Sequence, residues 1–129
     1  MKEALDRIKK AKEYETLRLA PNLILWKEGS IYLHDKTNQQ FDELANLLKD
    51  QIEKPFYLID LSLAKRPDPE TLRLVEERLK PLKNKFKHVA VYTGKNHLLF
   101  LGIKFYFIRF GFPSYSAHAS IKSALNSFS

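Results

Sequence analysis

Phe56-Tyr57-Leu58-Ile59-Asp60-Leu61 (FYLIDL, residues 56–61) is an almost unbroken apolar run directly after Pro55. A strand with one wet face alternates apolar and polar residues, whereas a strand covered on both faces does not. The run therefore predicts a central strand with helices above and below it. His88-Val89-Ala90-Val91-Tyr92 has the same character and predicts a second central strand, ended by Gly94. Between the two, Asp68-Pro69-Glu70 marks a helix start, with Asp68 as N-cap and Pro69 in the first helical position. Leu72, Val75, Leu79 and Leu82 supply its buried stripe. A strand, a helix and a second strand in that order form a crossover unit, which implies a parallel or mixed sheet.

Working outward, Thr37 and Gln40 have the spacing of a capping box at the start of an earlier helix. Phe41, Leu44, Leu48 and Ile52 then recur at steps of 3, 4 and 4, carrying that helix to about Glu53 before Pro55 stops it. Upstream, Lys2–Glu13 reads as an amphipathic helix with Ala4, Leu5, Ile8 and Ala11 on one stripe. Glu15–Leu19 alternates as a half-buried strand does. Pro21-Asn22 turns the chain into the apolar Leu23–Trp26, and Glu28-Gly29-Ser30 turns it again into Ile31-Tyr32-Leu33. These pieces predict a small antiparallel meander.

Downstream, His97–Phe110 predicts a helix closed by a left-handed Gly111, although its aromatic residues also suit a strand. Pro113–Ala117 predicts an edge strand, where proline is tolerated. Ser120 then caps a last helix through Ile121, Ala124, Leu125 and Phe128. The fold class expected is α/β: one domain over residues 15–129, with a mixed four- to six-stranded sheet and helices packed on it. An amphipathic helix over residues 1–14 precedes it. A chain of 129 residues suits a single domain.

The charge is unevenly placed. Residues 78–129 carry nine of the 22 Lys and Arg residues and none of the 15 Asp and Glu residues, so the net charge of +7 resides in the C-terminal part. The greasiest stretch, Leu98–Phe112 (LLFLGIKFYFIRFGF), lies there too. It is interrupted by Lys104 and Arg109 and is shorter than the roughly 20 apolar residues of a bilayer span, so no transmembrane segment is expected. With no cysteine, disulfides and thiolate chemistry are excluded. That composition agrees with a cytoplasmic location, and Met1-Lys2-Glu3-Ala4 lacks the apolar core of a signal peptide.

The order of these segments resembles the STAS domain of anti-sigma-factor antagonists and SpoIIAA-like proteins. Leu23–Gly29 (LILWKEG) is similar to that family's opening strand and glycine turn, Phe56–Ser62 (FYLIDLS) to its central strand, and His88–Gly94 (HVAVYTG) to the next. Gly111-Phe112 sits where that family has a Gly-Leu pair after its third helix, and Ser120–Leu125 (SIKSAL) resembles its closing helix. The resemblance spans residues 15–128 and implies a bacterial regulatory module that works by binding protein. The family's phosphorylated serine lies in an Asp-Ser-Ser/Thr-Gly turn after the central strand. Here that stretch is Ala64-Lys65-Arg66-Pro67-Asp68-Pro69-Glu70, with neither serine nor glycine, so the usual phospho-serine switch is not expected.

Motifs of catalysis are absent from the sequence: there is no GxSxG, HExxH, Walker A loop or GxGxxG. The four histidines share no metal-ligand spacing. No cofactor, metal or catalytic residue is therefore expected, and the reading is non-enzymatic. An enzyme reading would need Asp60 to meet His34 or His97 in a pocket. The expected partner is another protein or a second copy of the chain. The candidate contacts are Asp60, Ser62 and Asp68 at the strand ends, with Phe105 and Phe107 on the aromatic helix. Lys80, Lys83, Lys85, Lys87, Lys104 and Arg109 form a candidate basic patch. Cations near a helix C-terminus also have a purely local role. The alternative is a small lipophilic ligand or an anionic membrane surface. Nucleic acid is disfavoured because no RNA-binding aromatic motif accompanies the lysines.

Overall fold

The computed structural model describes residues 2–129. In chain order the elements are α1 (Lys2–Lys10), β1 (Thr16–Ala20), β2 (Leu23–Lys27), α2 (His34–Lys49), β3 (Phe56–Asp60), α3 (Pro69–Leu79), β4 (His88–Tyr92), α4 (His97–Phe110), β5 (Tyr115–His118) and α5 (Ile121–Asn126). A short 3-10 turn, Lys80–Leu82, follows α3. The strands form one five-stranded mixed sheet in the order β1-β2-β3-β4-β5. β1 pairs antiparallel with β2, and every later neighbour pairs parallel. The α/β class and the mixed sheet are as the apolar runs imply.

Period-two alternation divides the sheet into two cores. Ile24 and Trp26, Tyr57 and Ile59, and Val89 and Val91 face α2, α3 and α4. Leu23 and Leu25, Leu58, and Ala90 face Ile8 of α1 and Ala124 and Leu125 of α5. The parallel register Ile24–Tyr57–Val89 places like-facing residues side by side across the three central strands. β3 is thus covered on both faces, which is why its sequence does not alternate.

Several boundaries differ from expectation. Residues 31–33 form no strand. Both edges of β2 are already taken by β1 and β3, so the opening has two strands, not three. The loop is instead held by Tyr14, whose hydroxyl donates to Ile31 O at 2.6 Å, and by Tyr32, whose hydroxyl donates to Lys65 O at 2.7 Å. α2 begins at His34, so Thr37 and Gln40 lie inside it rather than at a cap. Both are fully buried, and the Gln40 amide donates to Thr16 Oγ1 at 3.1 Å and Lys27 O at 3.2 Å. A capping-box spacing here serves to stitch a helix to a sheet. α2 ends at Lys49, which leaves Ile52 fully exposed beyond the stripe that would have buried it. α1 likewise stops at Lys10 rather than Glu13, and β5 starts at Tyr115, two residues after Pro113.

The remaining caps follow their chemistry. Asp68 accepts from Thr71 N at 2.7 Å, with Pro69 next to it at the start of α3. Ser120 accepts from Ser123 N at 3.1 Å. Gly111 closes α4 at φ +79°, a left-handed conformation that a side chain would strain.

Candidate functional site

α4 carries two apolar stripes. Leu99, Ile103, Phe107 and Phe110 point into the core. Leu98, Leu101, Phe105 and Ile108 point out and are exposed. Neither α1 nor α5 can cover the outer stripe, because both pack on the opposite face of the sheet. Phe105 and Phe107, expected together as contacts, are therefore parted: Phe105 is 78% exposed and Phe107 only 4%. Phe107 sits among Phe110, Phe112 and Tyr115, at centroid distances of 5.9, 5.0 and 5.6 Å. It belongs to the core and presents nothing to a partner.

Asp60 is also enclosed, at 2% exposure, which corrects its reading as a surface contact. Its Oδ2 receives the Lys27 ammonium at 3.1 Å. Its Oδ1 accepts from Ser62 N at 2.9 Å and from Ser62 Oγ at 2.6 Å. Asp60 thus ties β2 to β3 and shapes the loop that follows, meeting neither His34 nor His97. Ser62 is half-buried and its hydroxyl is committed to that carboxylate. Asp68 is exposed but serves as the α3 cap, and the hydrogen bonds from Thr71 hold its carboxyl below the usual carboxylate value.

The basic residues sit on two segments of the chain. Lys80, Lys83, Lys85 and Lys87 are exposed around the segment between α3 and β4. Lys83 reaches towards Gly111, and Lys87 Nζ lies 5.2 Å from the centre of the Phe56 ring. Lys104 is exposed on α4. Arg109 is engaged with Glu76 of α3, Nε to Oε1, at 2.7 Å.

Two arrangements escaped the sequence reading. The first is a cavity of ≈ 80 Å³ between the sheet and α2, α3 and α4. Its wall includes Trp26, Tyr32, Phe41, Tyr57, Tyr106 and Phe107, together with one carboxylate, Glu28. Glu28 is 3% exposed. Burial raises its pKa against the opposing pull of the Gly29 N–H and the Trp26 indole N–H. Burial raises Tyr57 and Tyr32 as well, and the Glu28 charge adds to both. The turn Glu28-Gly29 was legible, but a turn residue gives no sign that its side chain folds inward.

The second is a chain of hydrogen-bonded side chains on the α5 side of the sheet. Ser114 Oγ meets His88 Nδ1 at 2.6 Å, and His88 Nε2 meets Ser116 Oγ at 2.7 Å. Ser116 Oγ meets His118 Nε2 at 2.6 Å, and His118 Nδ1 meets Ser123 Oγ at 2.7 Å. The alternation Ser114-x-Ser116-x-His118 carries the signal, but only the parallel pairing of β4 with β5 brings His88 to it.

Burial lowers the pKa of both imidazoles, and the charge of His88 lowers His118 further. The unfolded chain then takes up protons at a higher pH than the folded one, so stability rises with pH. Their contribution is complete above the ordinary value of 6.5 and is lost as pH falls through the lowered folded values. Glu28 acts with the opposite sign, since its folded pKa lies above the unfolded one. Titration of the imidazole NMR signals is expected to give midpoints below 6.5 for both histidines. The melting temperature is expected to fall between pH 7 and pH 5 by more in the parent than in a His88→Gln/His118→Gln variant. An equal fall in both would show that the pair is not the titrating unit.

Fold and surface together define a small α/β domain with an uncovered apolar helix face and an aromatic pit that holds an acid. Among the described residues no three metal-ligating side chains come together, and no helix is long and apolar enough to cross a membrane. No protein-family model matches the chain, and no curated protein matches it.

Proposed function

We propose that this chain is a non-enzymatic interaction module of the STAS-like kind, acting in the cytosol, that docks an acid-flanked amphipathic helix of another protein on the outer face of α4. The observation that carries the reading is the exposed stripe Leu98, Leu101, Phe105, Ile108. Its steps of 3, 4 and 3 are those of a helix–helix seam. Fully burying one such side chain is worth about 1.5–3 kcal/mol, so the seam gains most from a partner that excludes water along its length.

Charge selects the partner. In the heptad frame of the stripe, the flanking positions are His97, Gly102, Lys104 and Arg109; Arg109 already meets Glu76 of α3, which leaves Lys104 as the cation open to a partner. A second copy would bring the same cations to the same edges, with no carboxylate on the helix to meet them. A helix with Glu or Asp at its flanks meets them directly. A membrane surface is the competing occupant, since Lys83 lies against Gly111 at the end of α4, and the test below separates the two. Regulation through a phosphorylated Ser62 is not part of this reading, since that hydroxyl is bonded to Asp60.

The test uses two synthetic amphipathic helices that share leucine seam positions and differ only in glutamate or lysine flanks. The glutamate peptide is expected to bind, with affinity falling as salt is raised, and the lysine peptide to bind at least about tenfold more weakly. A Leu101→Asp/Phe105→Asp variant should lose the interaction while melting close to the parent, because both side chains are exposed. Equal binding of the two peptides would overturn the reading. So would self-association that buries α4, or binding to anionic vesicles in place of the peptide.

A further inference from the structure

We infer that the pit beneath α3 and α4 is a binding site for a small primary ammonium compound with an apolar body, whose cationic head is received by Glu28. This site lies on the inner side of α4 and is independent of the docking face on its outer side.

Glu28 is the starting point. It pairs with no Lys, Arg or His among the described residues. Its two hydrogen bonds are long, from Trp26 Nε1 at 3.4 Å and from Gly29 N at 3.2 Å. A carboxylate has about four acceptor sites, so most of its capacity is unused. Burying a charge without a partner is expensive, and folded proteins normally pair or solvate it. Here the side chain is held inside an aromatic wall instead.

That wall states the complementary chemistry. Aromatic faces attract a cation through their quadrupole, and a carboxylate supplies the counter-charge and accepts N–H bonds. A neutral alcohol would satisfy the acceptors but leave the charge unpaired. An anion would be repelled. The titratable groups lining the pit beside Glu28 are Tyr32 in the loop, Tyr57 on β3 and Tyr106 on α4; α2 and α3 contribute Phe41, Thr71 and Leu72 to the wall. Behind Thr71, His34 of α2 meets its Oγ1 at 3.3 Å, and Asp68 at the start of α3 acts on Tyr32. His34 pairs with Thr71 and forms no ion pair with Glu28.

A groove of ≈ 340 Å³ between α3 and α4 shares Leu72, Tyr106 and Phe110 with the pit. The pit alone accommodates a small head, and the groove has room for the rest of the body. The Arg109–Glu76 ion pair bridges the two helices at this groove. Burial raises the pKa of Glu28, and a cation seated beside it would draw that value back down.

Three probes with nearly the same body separate the possibilities: n-butylammonium, 1-butanol and n-butyrate, each titrated while amide NMR signals are followed. n-Butylammonium is expected to shift signals of residues 26–29 and of α4 with millimolar or tighter affinity. 1-Butanol should bind at least about tenfold more weakly, and n-butyrate not at all. Lowering the pH through the raised Glu28 value should weaken the ammonium and leave 1-butanol unaffected. Glu28→Gln should lose ammonium binding by at least about tenfold with 1-butanol unchanged. This variant removes a buried charge and is expected to melt no lower than the parent. Leu72→Trp, at the wall shared by groove and pit, should weaken both ligands. Binding of 1-butanol as tight as n-butylammonium, undiminished ammonium binding in Glu28→Gln, or no shifts with any probe would each overturn the inference.

Discussion

Asp60→Ala is expected to lower the unfolding free energy by about 3–5 kcal/mol, the cost typical of breaking a buried ion pair from one side. Three interactions converge on this carboxylate: the Lys27 ammonium and both the backbone N–H and the hydroxyl of Ser62. Lys27 and Asp60 are also direct partners in the parallel register of β2 and β3. Truncation leaves a largely buried ammonium without its counter-charge and frees the loop that leads to α3. The loss is a large share of the roughly 5–15 kcal/mol that holds a domain together. Asp60→Asn, which keeps an acceptor for Ser62, should cost less. Lys27→Met combined with Asp60→Leu should recover much of the loss, since an apolar pair of similar volume removes both charges together. Urea titration of the four proteins measures this directly. A cost below about 1 kcal/mol for Asp60→Ala would place the pair with solvent-screened surface bridges. Because Asp60 is enclosed, Asp60→Asn should leave affinity for the glutamate-flanked helix unchanged.

The sequence made the layered fold legible because its strongest signals are local. FYLIDL and HVAVY lack alternation because helices cover both sides, and the caps Asp68, Ser120 and Gly111 act within a few residues of themselves. Signals failed where a partner distant in the chain decides the outcome. Thr37 and Gln40 have capping-box spacing, yet Gln40 is claimed by Thr16 and Lys27, which lie 24 and 13 residues away. Residues 31–33 look like a strand, but β3 had already taken the edge of β2. The same limit governs the site. Asp60 at a strand end is a candidate contact until Lys27 is placed beside it. Glu28 reads as a turn residue until α3 and α4 close over it. The His88–Ser116–His118 chain exists only because two parallel strands put one face of each together.

Phe107→Ala and Phe105→Ala, two positions apart on one helix, should differ in cost by several kcal/mol. Phe107 fills the space between α4 and the sheet and touches Phe110, Phe112 and Tyr115. Removing it deletes buried surface and leaves a cavity that rigid neighbours only partly close, a change worth about 3–5 kcal/mol. The void would also adjoin the pit that Phe107 already lines, so the variant should gain affinity for 1-butanol as the pit enlarges. Phe105 has no such contacts to lose. Its ring is 78% exposed, and Phe105→Ala should change stability by no more than about 0.5 kcal/mol, as for other surface positions. Binding should show the reverse order: Phe105→Ala weakens the glutamate-flanked helix, whereas Phe107→Ala, measured well below its melting temperature, leaves it intact. The outer stripe needs a structural reason to persist, because an exposed phenylalanine adds nothing to folding and invites aggregation. If both substitutions destabilise the fold alike, α4 lies deeper than its exposed stripe implies, and the docking face loses its physical basis.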